Sequence, residues 1–367
     1  MSRIGTSLIL AALAALSATP AAADLTQQDV LAWIESLGGS HTRNQAGGVT
    51  AVDLRNAWVT DADLEKLARL PELQSINLAY TKITDLALEH LRPLNNVTDL
   101  NLYYAEYVTD NGIAYLKDWK NLEHLNLRGT KVTSAVFEHV SQMTGLRSLD
   151  VGFSRVTDDG FERLMGLEHL EKLSFGGNKM SGVALPLLKL LPSLRELNVS
   201  GWQRTDSGLW GVSITDFNLD NIVQLDQIAI LDLGETAVTD RGVARLAQMK
   251  KLTALDLRRT AVTSRGIAIL AALPDLRRLR LWQAEGIDDA AVPHLVTMQS
   301  LEVLEIPETR ISGEGLARLQ EMKQLRKLYV GGTGVTQEQV EAFRAASPQC
   351  QVTWWEKFEA PPHTENK

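Results

Sequence analysis

The chain has 367 residues, of which 44% are hydrophobic and 22% charged, and its net charge is −8. That supplies ample core and excludes global disorder, while the acidic balance argues against a general affinity for nucleic acid or an anionic membrane surface. The single cysteine excludes an intramolecular disulfide, a cysteine zinc cluster and a C-x-x-C redox site, and the 6% aromatic content predicts a mainly aliphatic core.

In chain order, the first segment has the pattern of an address. Arg3 precedes an apolar run over residues 8–16, and Ala21-Ala22-Ala23 is an A-x-A cleavage pattern. Residues 1–23 are therefore expected to be a secretory signal peptide cut before Asp24. The apolar run is too short to span a bilayer. Export to the periplasm or outside the cell follows, without a membrane anchor. Residues 24–48 form the expected N-terminal cap. TQQDVLAWIESL at 26–37 places Val30, Trp33, Ile34 and Leu37 on one helix side, and Gly38-Gly39 ends it.

From residue 49 the chain repeats itself. The pattern LxxLxLxxT begins at Val49, Leu73, Val97, Leu122, Leu146, Leu170, Leu194, Ile228, Leu252, Leu276, Leu301 and Leu325, which is twelve copies. Eight of the eleven spacings are 24 residues, two are 25 and one is 34. In each unit the first half alternates, as in Ile76 and Leu78 against Ser75 and Asn77, which predicts a short strand. The second half repeats at threes, as in Leu88, Leu91 and Leu94, which predicts a short helix. Thr60, Thr84, Thr133, Thr157, Thr239 and Thr336 occupy the expected helix N-cap. The Asp that often follows suits the positive end of the helix dipole. One unit cannot bury its own leucines, so the units are expected to stack into an α/β solenoid with parallel strands on one face and helices on the other.

These copies resemble the leucine-rich repeat family. TAVTDRGVARL at 236–246 is similar to the bacterial 24-residue type with T-x-V-T-D-x-G-L. The resemblance covers 49–350 and implies a curved horseshoe whose concave sheet binds partners. The ninth position, often Asn in that family, is Thr at 81, 130, 236, 260, 309 and 333, and only Asn178 keeps the amide. Residues 351–367 are expected to hold a cap strand and a polar tail from Glu359.

No sequence pattern motivates catalysis. The seven histidines form no i, i+4 metal pair, and G-x-S-x-G, a Walker loop and G-x-G-x-x-G are all missing. No metal, cofactor or enzymatic activity is expected. The outward strand positions carry the binding expectation instead. Position five is largely Asn and Asp, with Asn77, Asn101 and Asn126 expected to bond along the stack. In the first half, Tyr80, Tyr103, Tyr104, Arg128 and Phe153 form a candidate hot spot. In the second half, Arg258, Arg259, Arg280 and Trp282 form a candidate receptor for an acidic partner, although Asp256, Glu235, Glu305 and Glu308 alternate with them. Arg258 beside Trp282 is expected to make a cation–π contact. The long spacing holds about ten extra residues near 203–212, bracketed by Trp202 and Trp210, where the loop side meets the concave face. The sequence thus predicts a monomeric, exported module that binds a protein or peptide, with a cell-wall glycan on the Tyr/Phe patch as the alternative, and no nucleic-acid partner.

Overall fold

The computed structural model describes residues 25–357; the signal-peptide reading and the tail after residue 357 fall outside it. The helix Gln27–Ser36 opens the described chain. It is closed by a capping box in which the Thr26 hydroxyl and the Asp29 side chain each bond the other's backbone N–H. The strand Ser40–Arg43 then pairs antiparallel with Val49–Asp53. From there every strand adds parallel to the one before, out to Gln351–Thr353, in a single fourteen-stranded sheet. The strands are short because each repeat gives one inward residue between two outward ones. Ile76, Leu100 and Leu125 stand in register and are at most 2% exposed. Leu255, Leu279 and Leu304 continue the same ladder. Each such buried side chain contributes roughly 1.5–3 kcal/mol.

The core also takes more rings than its composition implies. Phe137, Phe161 and Phe175 meet edge to face with 5.2 Å between successive centroids. Trp119 is buried beside them in the array and donates its indole N–H to the Arg92 carbonyl. These aromatics are core residues, and only those outside this set remain for recognition.

The N-cap threonines carry a second task. Thr84, Thr109 and Thr239 each accept a helix N–H, as helix starts require. Each is also gripped by the aspartate of the preceding repeat. Asp85 accepts from the Thr109 N–H at 2.7 Å and its hydroxyl at 2.6 Å. Asp216 grips Thr239 at 2.8 and 2.6 Å, and Asp240 grips Thr263 at 2.8 and 2.6 Å. Asp61–Thr84, Asp110–Thr133, Asp158–Ser181 and Asp289–Ser312 follow the same plan. The aspartate of V-T-D therefore serves the next repeat, beyond the dipole of its own helix. It also explains the glycine of the motif. A Cβ on Gly242 or Gly266 would lie 2.5 Å from the Asp216 or Asp240 carboxylate of the repeat before. On Gly315 it would lie 2.1 Å from Asp289.

The asparagines of position five depart in part from expectation. Asn77 accepts from the Ala79 N–H at 3.1 Å, Asn101 from Tyr103 at 3.0 Å and Asn126 from Arg128 at 3.0 Å. They close turns within their own repeat, and of the three Asn77 also bonds along the stack, adding to the Arg55 bond that holds the Asp53 carboxyl low. A short Asx side chain satisfies a backbone N–H two residues on at little entropic cost. At position nine, Thr81, Thr130 and Thr260 donate to the carbonyl three residues back at 2.6–2.7 Å. Asn178 alone bridges two repeats, donating to Phe175 and Val151.

Replacing Gly315 with Ala should destabilise the fold by about 1–3 kcal/mol, although alanine is the better helix former. Urea unfolding of Gly315→Ala, Asp289→Ala and the double variant checks this. The alanine should cost clearly less once Asp289 is gone.

Candidate functional site

After each strand the chain turns through one left-handed residue. At Tyr80, Tyr104, Phe153, Glu235, Arg259, Gln283 and Glu308 this residue is not glycine. Its N–H is held by the next repeat, as Tyr104 donates to the Arg128 carbonyl at 2.7 Å and Phe153 to Gly176 at 2.8 Å. Held in this way, the side chains form a ridge along the edge where the strands end. Glycines beside the rings make room. A Cβ on Gly129 would lie 2.8 Å from the Tyr104 ring, and one on Gly177 would lie 2.7 Å from Phe153.

Tyr80, Tyr103 and Tyr104 pack together on this ridge. Tyr80 stacks on Tyr104 at 5.8 Å, and Tyr103 meets both edge-on at 5.2 and 4.8 Å. Contact with Tyr103 pushes the Tyr80 hydroxyl above its ordinary pKa, and burial pushes up that of Tyr104. Both stay neutral donors at physiological pH. The Arg128 guanidinium lies 4.2 Å from the centre of the Phe153 ring and 3.7 Å from Asp150.

The long repeat forms an antiparallel hairpin of Trp202–Thr205 and Gly208–Gly211. Gln203 pairs with Trp210 and Thr205 with Gly208, so Gln203, Thr205 and Trp210 share one face. Trp202, Arg204 and Leu209 share the other. Gln203 anchors the hairpin by donating to the Ser154 carbonyl at 3.0 Å and the Gly177 carbonyl at 2.9 Å. The Trp210 indole donates to Ser207 at 2.9 Å. A groove of about 440 Å³ opens between hairpin and ridge. Tyr104 and Phe153 form one wall, Gln203, Asp206 and Trp210 the other, and Glu106, Lys131 and Arg155 line it as well. Tyr104 and Phe153 thus meet Trp210 although they lie 106 and 57 residues from it in the chain. Trp202 is 48% exposed but lies on the opposite hairpin face.

Gln203, Lys131, Arg155 and Glu106 escaped the sequence reading. Their available signal was position ten of the repeat, immediately beyond the turn.

The second-half cluster is organised differently. Arg258 bonds Asp256, lies 3.3 Å from Asp232 and donates to Ser200 at 3.0 Å. Arg280 bonds Glu305 at 2.9 Å and approaches Asp256 at 3.5 Å. Burial pushes the Asp256 carboxyl up, the neighbouring Asp232 adds to the push, and Arg258 and Arg280 pull it back. Arg259, not Arg258, lies over Trp282, at 5.7 Å. The expected Arg258–Trp282 contact does not form because charge-assisted bonds to two carboxylates hold that guanidinium. Trp282 donates its indole N–H to Glu308 at 3.0 Å.

A second recess of about 520 Å³ opens where the strands begin, between Asn44 and His169. Its polar groups are engaged internally, including Asn44 with Glu72 at 2.7 Å and Arg147 with Glu171 at 2.7 Å. Among the described residues, no three His, Cys, Asp or Glu side chains group to hold a metal, and no helix is long and apolar enough to cross a membrane.

The fold is that of leucine-rich-repeat solenoids. An internalin (InlF) from Listeria monocytogenes is similar over 91% of this chain and 94% of its own, at 19% identity and a TM-score of 0.54. A leucine-rich-repeat protein of Leptospira interrogans is similar over 79% and 74%, at 18% identity and a TM-score of 0.50. TLR13, solved in complex with the RNA ssRNA13, is similar over 83% of this chain and 46% of its own, at 17% identity and a TM-score of 0.51. No protein-family model and no curated protein matches the sequence.

If Gln203 is what pins the hairpin, Gln203→Ala should speed amide exchange across 202–211. The global unfolding free energy should move by no more than about 1 kcal/mol, the scale of one net hydrogen bond. Hydrogen–deuterium exchange followed by mass spectrometry reads both.

Proposed function

We propose that this chain is an exported, non-catalytic binding module that holds a protein or peptide partner in the groove between the aromatic ridge and the hairpin. One observation carries this reading: Tyr104 and Phe153 converge with Trp210 around a single opening although the hairpin is an insertion in the repeat. Half-buried rings lining a concavity are what partner anchoring requires. The internalin and TLR13 likenesses agree with a binding role for this architecture. We read the repeats as the bacterial 24-residue type, with residues 24–48 and 351–367 as end caps. We read residues 1–23 as a leader to the periplasm or the outside of the cell, and the mature chain as a monomer.

A glycan on the Tyr/Phe patch is the weaker reading. Tyr103 and Tyr104 are half-buried against one another and Tyr80, so of the three only Tyr80 is left open to stack on a sugar. The second-half arginines are also a weaker site, because a ligand there must displace the carboxylates that already hold Arg258 and Arg280.

Peptides selected on the purified chain from a displayed random library test the site. Tyr104→Ala and Trp210→Ala should each weaken a selected peptide by about 2 kcal/mol or more, as truncated anchors do. Arg280→Ala should leave it within about 0.5 kcal/mol, the range of surface changes away from a contact. Binding that survives both aromatic truncations, or retention on cell-wall polysaccharide that both abolish, would defeat the peptide reading.

A further inference from the structure

The residue just before the V/I-T pair of each repeat, or its variant, carries its own pattern. Before the hairpin it is Trp58, Lys82, Tyr107, Lys131, Arg155 and Lys179 in six successive repeats. Beyond the hairpin it is alanine or glycine in four of five, beginning with Ala237 and Ala261. Large aromatic and cationic side chains therefore stop where the hairpin stands.

The register makes this a continuous stripe. Tyr107 bridges to Thr84, and Arg155 to Thr133, so each is held against the repeat before, two residues past its counterpart Lys82 or Lys131. Lys82 places its ammonium 5.1 Å from the Trp58 ring, and Lys131 places its own 4.8 Å from Tyr107. Trp58 is 81% exposed, far more than any packing role needs. Among the described residues, no carboxylate ion pair holds Lys82, Lys131, Arg155 or Lys179. In contrast, Arg147, Arg258 and Arg280 are each paired. In a chain of net charge −8, four unpaired cations in one line are a local departure. The line also runs into the groove, whose lining includes Lys131 and Arg155.

We propose that this stripe recognises an acidic polypeptide segment, laid across the first six repeats and stopped by the hairpin. The inference rests on the groove being the partner site and names the partner's chemistry. Cations without an ion pair give up at most a cation–π contact to meet a carboxylate, whereas paired ones must first break a charge-assisted bond. Exposed charges of this kind set association rate and specificity. The groove also contains Glu106 and Asp206. A nucleic acid, with a phosphate at every unit, meets both acids. A polypeptide whose carboxylates are spaced along it sets neutral residues against them.

The test uses a short fluorescein-labelled peptide with alternating glutamates, the same peptide with glutamines, and a labelled oligouridylate. Binding to the purified chain is read by anisotropy at low and high salt. The glutamate peptide should bind about tenfold more tightly than the glutamine peptide at low salt, and the gap should shrink at high salt. Lys131→Glu/Arg155→Glu/Lys179→Glu should lose about tenfold, and the glutamine version of the same triple a smaller amount. Lys323→Glu, far along the array, should change nothing. Circular dichroism verifies that each variant is folded. Equal binding of the two peptides, an unaffected glutamate triple, or tighter binding of oligouridylate overturns the proposal. A library-selected peptide that needs Tyr104 and Trp210 but ignores the charge variants would overturn the acidic partner and leave the groove standing. One that ignores Tyr104 and Trp210 would overturn the groove instead.

Discussion

Each repeat depends on its neighbour for what it cannot supply itself. The apolar half of that dependence is the leucine ladder, which has no inside until a second unit arrives. The polar half is the grip of one repeat's aspartate on the threonine that starts the next repeat's helix. That threonine has two bonds to give and one to take. Its N–H and O–H go back to the carboxylate, and its oxygen caps the helix ahead. The grip is directional, and it fixes stagger as well as contact. Where serine replaces the aspartate, the hydroxyl does half the work: Ser134 accepts from the Thr157 N–H at 2.9 Å. With stagger fixed, every turn falls at the same height, and the turn residues become a straight ridge.

Much of this was legible because a repeat presents the same evidence many times. Period two followed by period three located the strands and helices. The hydroxyl at the cap position located the helix starts at Thr84, Thr239 and Thr336. It did not at Thr60, Thr133 and Thr157, where the helix begins one to three residues later. The grip was not legible, because its two halves lie 23 or 24 residues apart and each has a local explanation that suffices alone. Aspartate suits a helix N-terminus, and glycine suits a bend. Only the structure shows that the glycine is there to leave room for the aspartate. The asparagines of position five were partly misjudged, for a related reason. Sitting in a column, they invite a ladder, yet the nearest unsatisfied N–H is two residues along the same chain.

The candidate site was legible in pieces. Tyr104, Phe153 and Trp210 were each visible as rings off the leucine ladder. Their meeting was not, because nothing in one sequence says which way a ten-residue insertion folds. The hairpin register decides it, and it separates Trp202 from Trp210 although the two had looked equivalent. Adjacent arginines were confused for the same kind of reason. Arg258 and Arg259 are neighbours in sequence, but one turns toward buried carboxylates and the other lies at the turn beside Trp282.

The series of grips has two gaps. One lies before the last helix, where Gly313 holds the gripping position and Thr336 bonds Gln339 instead. The other is nearer the middle. Between Ser181 and Thr215 the gripping position is occupied by Gly182, with a φ of 88°. The neighbouring Asn218 turns inward to accept from Thr215 within its own repeat. This junction is also the one from which the hairpin springs. An array coupled only between neighbours behaves as springs in series, so its compliance is set by the softest joint. The hairpin roots at that seam, yet its Gln203 reaches back to Ser154 and Gly177. The bonds of Gln203 therefore cross the junction at which the aspartate grip is missing and tie the two sides together.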